Sequence, residues 1–296
     1  MLIPVMLGVT LIVFIVMQIL PGDPAEIRAG EAATPEMIEN IRHQLGLDKP
    51  LPVQYLIFLK NSMKLDFGRS IRTNQRVIEE FLLRYPNTII LTVSATFIFL
   101  ILGIPLGIVS AVNRGSIWDG IAILVSLIGI SMPAFWLGLL LIWYFAVELN
   151  WLPAFGLYSP KHVILPAFTL ASFGIAYTAR YTRSSVLDEL MQEYVTTARS
   201  KGLREKIVLY RHVLRNALIP VVTQTALGFG YMLGGSVVIE TVFSINGVGK
   251  LIVEAILYRD FPIVQGGVLL LAMNFVIVNL AADVAYGFID PRVRVQ

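Results

Sequence analysis

The chain has 296 residues, of which 56% are hydrophobic and only 15% charged, against roughly 25% charged in an average soluble domain. Its formal net charge is +3, its mean hydropathy is +0.74 and it has no cysteine. That composition excludes a disulfide framework and a thiolate metal site, and it makes water a poor solvent for most of the chain.

The placement of the charges decides the class. A helix that crosses a bilayer core of about 30 Å needs roughly 20 apolar residues in succession. Six windows contain no Asp, Glu, Lys or Arg: 1–22, 85–113, 120–147, 162–179, 216–239 and 261–282. The pattern predicts an all-α polytopic membrane protein with six transmembrane helices. A soluble helical protein would have to hide six segments that lack an amphipathic face. A membrane β-barrel would alternate polar and apolar residues every second position, which these windows do not.

The first window has no basic residue ahead of it, the first being Arg28, so it does not read as a cleaved signal peptide. The same absence leaves this helix without an orientation signal of its own and is compatible with a truncated start. Residues 23–84 follow, with nine basic and nine acidic side chains, and read as an extracytoplasmic insert. Within it Thr34-Pro35 supplies an N-cap and a proline at the first helical position, and Gly46 closes the helix, although Met37 stands where Glu would complete a capping box. A second helix is expected after Pro52. Its Tyr55, Leu56, Leu59 and Met63 recur at helical spacing and are expected to pack on the membrane domain.

In the second window Gly103-Ile104-Pro105-Leu106-Gly107 places two small residues one turn apart, as does Gly230-Tyr231-Met232-Leu233-Gly234 in the fifth, which favours close helix contact. Pro105, Pro133 and Pro166 predict kinks or broken hydrogen bonds. Thr223, Gln224, Thr225, Asn274 and Asn279 are polar at membrane depth. They either bridge helices or line a polar path, and Gln224, Asn274 and Asn279 are the pathway candidates.

Between the fourth and fifth windows, residues 180–215 carry eight Lys/Arg against four acids. Counting alternate loops from there, 114–119, 180–215 and 283–296 hold eleven basic residues, and 148–161 and 240–260 hold three. The positive-inside rule puts the first set and both termini in the cytoplasm. Docking of a protein partner suits the 180–215 loop better than nucleic acid, given its acids and the spans beside it.

Known catalytic patterns are missing. There is no H-E-x-x-H, and His43, His162 and His212 are scattered. Ser244 to Leu251 lacks the first glycine and the final Ser/Thr of a phosphate-binding loop, and Gly129 to Pro133 lacks the second glycine of a nucleophile elbow. The chain reads as a non-enzyme without a cofactor of its own.

Residues 186–202 read as an amphipathic helix, with Leu187, Leu190, Met191, Tyr194 and Ala198 at spacings of three and four. Gly202 ends it in a left-handed turn, and Arg204 to Arg215 begin a second basic helix. On physics alone the first helix could also lie on lipid. Its residues go further than physics, however. Glu193-Tyr194-Val195-Thr196-Thr197-Ala198-Arg199-Ser200-Lys201-Gly202, followed by Arg211 to Pro220, resembles the cytoplasmic signature of ABC importer permeases, in particular the peptide, nickel and glutathione branch. Leu20 to Ala25, Gln44 to Asp48, Asp66 to Ser70, Gly247-Val248-Gly249 and Arg259 to Pro262 resemble that branch too, in the same order along nearly the whole chain. Thr196-Thr197-Ala198 and Leu214-Arg215 depart from the general importer pattern, and so does the lack of basic residues before the first span.

The resemblance implies a single permease domain over 1–296, located in a bacterial or archaeal inner membrane and forming half of a translocation pathway. It implies a second permease subunit, two cytoplasmic subunits that bind ATP and Mg, an extracytoplasmic binding protein and surrounding lipid, with no nucleic acid. It assigns contact with the ATPases to Glu193, Tyr194, Ala198, Arg199, Lys201 and Gly202. In that picture Ala198 allows close approach of the partner, and the 243–262 loop helps gate the outer mouth. Transport by alternating access of peptides, glutathione or nickel chelates follows as the expected function. The competing class is a secondary transporter without ATPases, which would use an ionisable residue deep in the bundle; Glu240 and Asp283 only border the windows.

Overall fold

The computed structural model describes residues 2–19, 22–30 and 33–289. In chain order the helices are α1 (Leu2–Ile19), α2 (Pro24–Ala29), α3 (Pro35–Leu45), α4 (Leu51–Met63), α5 (Val77–Val112), α6 (Ile117–Ser131), α7 (Ala134–Leu141), α8 (Pro160–Leu190), α9 (Glu193–Ser200), α10 (Glu205–Ile207), α11 (Leu214–Val242), α12 (Val248–Leu257) and α13 (Phe261–Ile289). A π-helical segment, Ile142–Glu148, extends α7, and another, Val208–Val213, joins α10 to α11. No strand occurs among the described residues, so the all-α expectation holds.

Three helical stretches, α5, α8 and Phe261–Ala281 of α13, are long and apolar enough to cross a membrane. Counting each bent pair as one span adds up to two more, and Pro4–Ile19 of α1 is apolar but shorter. The third window is not one straight helix. α6 stops at Ser131, and α7 with its π extension departs at 104°. The cause is local, because Pro133 disfavours a helical residue before it, and Met132 accordingly adopts φ −83°, ψ 124°. Pro105 and Pro166, by contrast, lie inside continuous helices.

The chain forms two compact units, residues 1–88 with 246–276 and residues 89–245 with 277–296. In the first, Thr34 Oγ1 accepts from Met37 N at 3.4 Å and Gly46 closes α3 at φ +69°, as the caps predict. The face of α4 that meets α1 differs from expectation. Tyr55 reaches Thr10, and Phe58 stacks on Phe14, whereas Leu56 and Met63 are exposed. Four residues grouped by sequence spacing therefore divide between two faces.

A polar lattice ties distant parts of this unit. The buried carboxylate of Asp260 accepts from Ser70 Oγ at 2.5 Å and Ile71 N at 3.2 Å, fixing the turn before α5. Buried Glu80 accepts from Thr73 Oγ1 at 2.8 Å and pairs with Arg84, whose Nε donates to Asn246 at 3.1 Å. The Ser244 to Leu251 string has a structural use here, since α12 begins at Val248, whose N–H donates to Thr88 Oγ1 at 2.9 Å. The Asp66 to Ser70 and Arg259 to Pro262 motifs thus meet through one carboxylate.

In the second unit the core joins α5, α8 and α11, with Leu91, Ala95, Phe99, Leu170, Met232 and Ile239 among its buried residues. A Cβ at Gly103 would stand 2.9 Å from the Ile175 carbonyl, and one at Gly107 would stand 2.5 Å from that of Ala179. Only glycine permits that approach of α5 to α8, which is the close contact predicted for this pair. At Gly234 a Cβ would meet nothing within 4 Å, so close packing within the chain is not its role.

Candidate functional site

The segment from α8 to α11 belongs to the second unit. α8 ends at Leu190, and Gln192, at φ −74° and ψ 147°, breaks the helix before α9 starts at Glu193. The single amphipathic helix expected over 186–202 is therefore two helices and a turn. Its apolar rhythm survives the break because both pieces serve one core, with Val195 and Ala198 of α9 buried among Val186, Val208, Val213, Leu214 and Ala217. Ala198 is only 6% exposed. Its small size admits close approach within this chain.

Of the other signature residues, Tyr194 donates its hydroxyl to Glu189 and accepts from Asn216 Nδ2 at 3.1 Å, which ties α9 to both neighbouring helices. Burial, and then the hydrogen bond to Glu189, push its phenol above the ordinary tyrosine value. The Arg199 guanidinium donates to both carboxylate oxygens of Glu205, at 2.6 and 3.2 Å, and holds that carboxyl below its usual range. Lys201 is exposed, and Gly202 turns the chain at φ +76° with nothing within 4 Å of where a Cβ would stand. The left-handed stop is as predicted.

The face that α9 turns away from the core carries Glu193, Thr196, Thr197 and Ser200, all exposed. Met191 and Leu203, which precede and follow α9 in the chain, are exposed, as is Tyr210 in the segment beyond α10. A polar helix face with exposed apolar side chains at either end of the helix can bind a protein groove, the apolar groups supplying area and the polar centre supplying register. Tyr210 is a feature that sequence spacing missed, and Met191, grouped by spacing with Leu187 and Ala198, is exposed whereas Ala198 is buried.

A second omission lies at the base of α8. Asp119, 4% exposed, receives the Arg183 fork with both distances at 2.9 Å, Ser110 Oγ at 2.5 Å and Gly115 N at 2.9 Å. A bidentate pair with its remaining lone pairs filled is the form in which a buried carboxylate is tolerated. It clamps the α5–α6 turn to the helix that leads into α9. Arg183 had counted only as part of the basic loop.

The pathway candidates fall in different units. Asn274 in the first accepts from Tyr85 Oη at 2.7 Å, while its buried Nδ2 has no partner. In the second unit Gln224 is half-buried and the buried Oδ1 of Asn279 is likewise unmatched. Thr223 and Thr225 donate to Ile219 and Val221 carbonyls of their own helix, so they are satisfied without bridging.

Residues 103–295 match the model of the binding-protein-dependent transport system inner membrane component, and residues 2–92 match the N-terminal model of such membrane components. The chain belongs to this family. The glutathione transport system permease protein GsiC of Pectobacterium atrosepticum is 46% identical over 99% of this chain and 96% of its own length. GsiC of Escherichia coli K12 is 43% identical with the same coverage, and the dipeptide transport system permease protein DppB of Alkalihalophilus pseudofirmus is 40% identical, again with 99% and 96% covered. Among solved structures, the inward-facing MetNI methionine ABC transporter matches with a TM-score of 0.58 at 17% identity, covering 72% of this chain and 97% of that one. An amino acid ABC transporter matches with a TM-score of 0.55 at 16% identity, covering 73% and 94%. The protein is thus an integral membrane permease component with the ABC importer permease fold, and the segment holding α9 lies inside the larger matched region.

Proposed function

We propose that this permease forms one half of a translocation pathway for glutathione or short peptides, driven by separate ATPase subunits and fed by a binding protein. The observation that carries the reading is identity of 40–46% to permeases of glutathione and dipeptide systems, spread over nearly the full length of both chains. In this reading six spans, α1 and the two bent segments included, place both termini and residues 180–215 in the cytoplasm. Glu193, Tyr194, Arg199, Lys201 and Gly202 form the coupling element, with Ala198 seating it on its own chain. A rigid movement of the ATPase against α9 passes through the Asp119–Arg183 clamp into α5, α6 and α8, so that the halves rock between inward and outward openings. ATP and Mg bind only to the partners, and Gln224, Asn274 and Asn279 offer neutral hydrogen-bonding groups to the cargo. A secondary transporter has no observation in its favour. The test is uptake of labelled glutathione and of a labelled dipeptide into vesicles holding the reconstituted complex and its binding protein. ATP-dependent accumulation of one of them is expected, and accumulation of neither, with the complex intact, would sink the assignment of cargo.

A further inference from the structure

We infer that α4 is a membrane-seated helix, lying in the leaflet that holds the C-terminal end of α1, with phospholipid acyl chains against its outward face. The inference rests on the membrane-spanning reading of α1, whose described residues carry no charge. Gln54 of α4 accepts from Gln18 Nε2 at 3.2 Å, near the end of α1. Further in, Phe58 stacks on Phe14 with ring centroids 6.2 Å apart, and the Tyr55 hydroxyl lies 3.0 Å from Thr10 Oγ1. At 1.5 Å per residue, Phe14 is about 7.5 Å and Thr10 about 13.5 Å inside the end of α1 at Ile19. The Phe14 contact falls within the depth at which an in-plane amphipathic helix sits, about 5–10 Å into the headgroup and acyl boundary, and the Thr10 contact lies deeper still, against hydrocarbon.

An element held at that depth must close its backbone bonds and offer apolar side chains to lipid. The backbone bonds of α4 are closed within the helix, as hydrocarbon demands. Its exposed side chains include large apolar ones, Leu51 at 54%, Leu56 at 61% and Met63 at 81%, beside the polar Lys60, Asn61 and Lys64. The exposed side chains of α1 include apolar Leu11, Ile12 and Ile15, which suit hydrocarbon in the same way. Lys60 and Lys64, also exposed, have stems long enough to carry their ammonium groups to the phosphate layer.

The chain has no cysteine, so single nitroxide labels can be placed by one substitution each, with no native cysteine to replace first. Labels at Leu56→Cys and Met63→Cys, in the assembled transporter in nanodiscs of phosphatidylcholine and phosphatidylglycerol, are compared with Leu11→Cys on α1 and Glu36→Cys on α3. Collision rates with molecular oxygen and with a water-soluble nickel chelate are then measured. The expected result is a several-fold higher oxygen-to-nickel ratio at 56 and 63 than at 36, close to that at 11. Free access of the nickel chelate at 56 and 63 would mean an aqueous insert and overturn the inference, and exclusion of both reagents, meaning cover by a protein partner, would do so too. Nickel access at 11 as well would overturn the membrane-spanning reading of α1 along with it. None of these readings requires transport, so a failure of the cargo assignment is separately visible.

Discussion

α4 and α9 are both short helices that use one face to hold on to their own unit, yet they treat the other face in opposite ways. α9 buries Val195 and Ala198 and turns Glu193, Thr196, Thr197 and Ser200 outward, whereas α4 packs Tyr55 and Phe58 on α1 and leaves Leu56 and Met63 bare. The inward faces look alike, because any helix must bury something to be stable. What a helix is for is written on the face it does not need for its own stability. A polar outward face suits a protein groove or water, and an apolar one suits lipid.

The largest expected effect comes from breaking the inward face of α9. Val195→Asp would place a charge among Val186, Val208 and Val213, where no partner is available, at a cost on the order of several kcal/mol. Thr196→Asp one residue later falls on the exposed face and should change stability by no more than about 0.5 kcal/mol. Thermal unfolding of the purified complex checks the pair. If Val195→Asp were as mild as Thr196→Asp, α9 would not be anchored as the structure has it.

Gly202→Val comes next. A side chain at φ +76° costs roughly 1–2 kcal/mol of backbone strain, and with nothing within 4 Å of the new Cβ there is no steric contribution to add. Membrane insertion should persist while binding-protein-stimulated ATPase activity and import fall together, with Gly202→Asn retaining more of both because asparagine tolerates the left-handed region. Wild-type transport by Gly202→Val would show that residues 193–202 are not the coupling element.

Much of this contrast was legible in the sequence, and the residues that were misread share a reason. Charge-free windows marked the apolar helices because the bilayer imposes a length, and the Thr34 cap and the Gly46 and Gly202 stops follow from backbone rules within a few residues. Periodicity, however, reports only that residues recur on one side. It did not reveal the break at Met191–Gln192, since Leu187, Leu190 and Ala198 serve one core from either side of it. Nor did it say which side of α4 met α1. Asp119 with Arg183, and Ser70 with Asp260, are pairs made by the fold between residues 64 and 190 apart. Nothing in the local sequence of either partner announces them.

On α4 the comparison sharpens to two substitutions. Phe58→Ala removes a half-buried ring from Phe14, and because neighbouring lipid can partly replace the lost contacts, the cost should be about 1–2 kcal/mol. Leu56→Ala, on the outward face, should cost less than about 0.5 kcal/mol. Thermal unfolding in nanodiscs measures both. A larger loss at Leu56 than at Phe58 would mean that the outward face is packed against protein.

The smallest effect concerns the one ion pair on the outward side of α9. Arg199 holds the Glu205 carboxyl below its ordinary range, so the pair contributes above the unfolded glutamate pKa of about 4.3 and loses that contribution as pH falls through the lowered folded value. Both side chains are well exposed, at 43% and 63%, so solvent screens them and the contribution at neutral pH should be about 0–1 kcal/mol. Glu205→Gln should therefore speed amide hydrogen exchange in α9 slightly at pH 7, and added salt should shrink the difference between variant and parent. In acid, once Glu205 itself is protonated, the two should exchange alike. Lipid around this helix would give another outcome, because a pair shielded from water is little screened by salt. A large, salt-insensitive difference at pH 7 would thus place the outward face of α9 in the same solvent as that of α4.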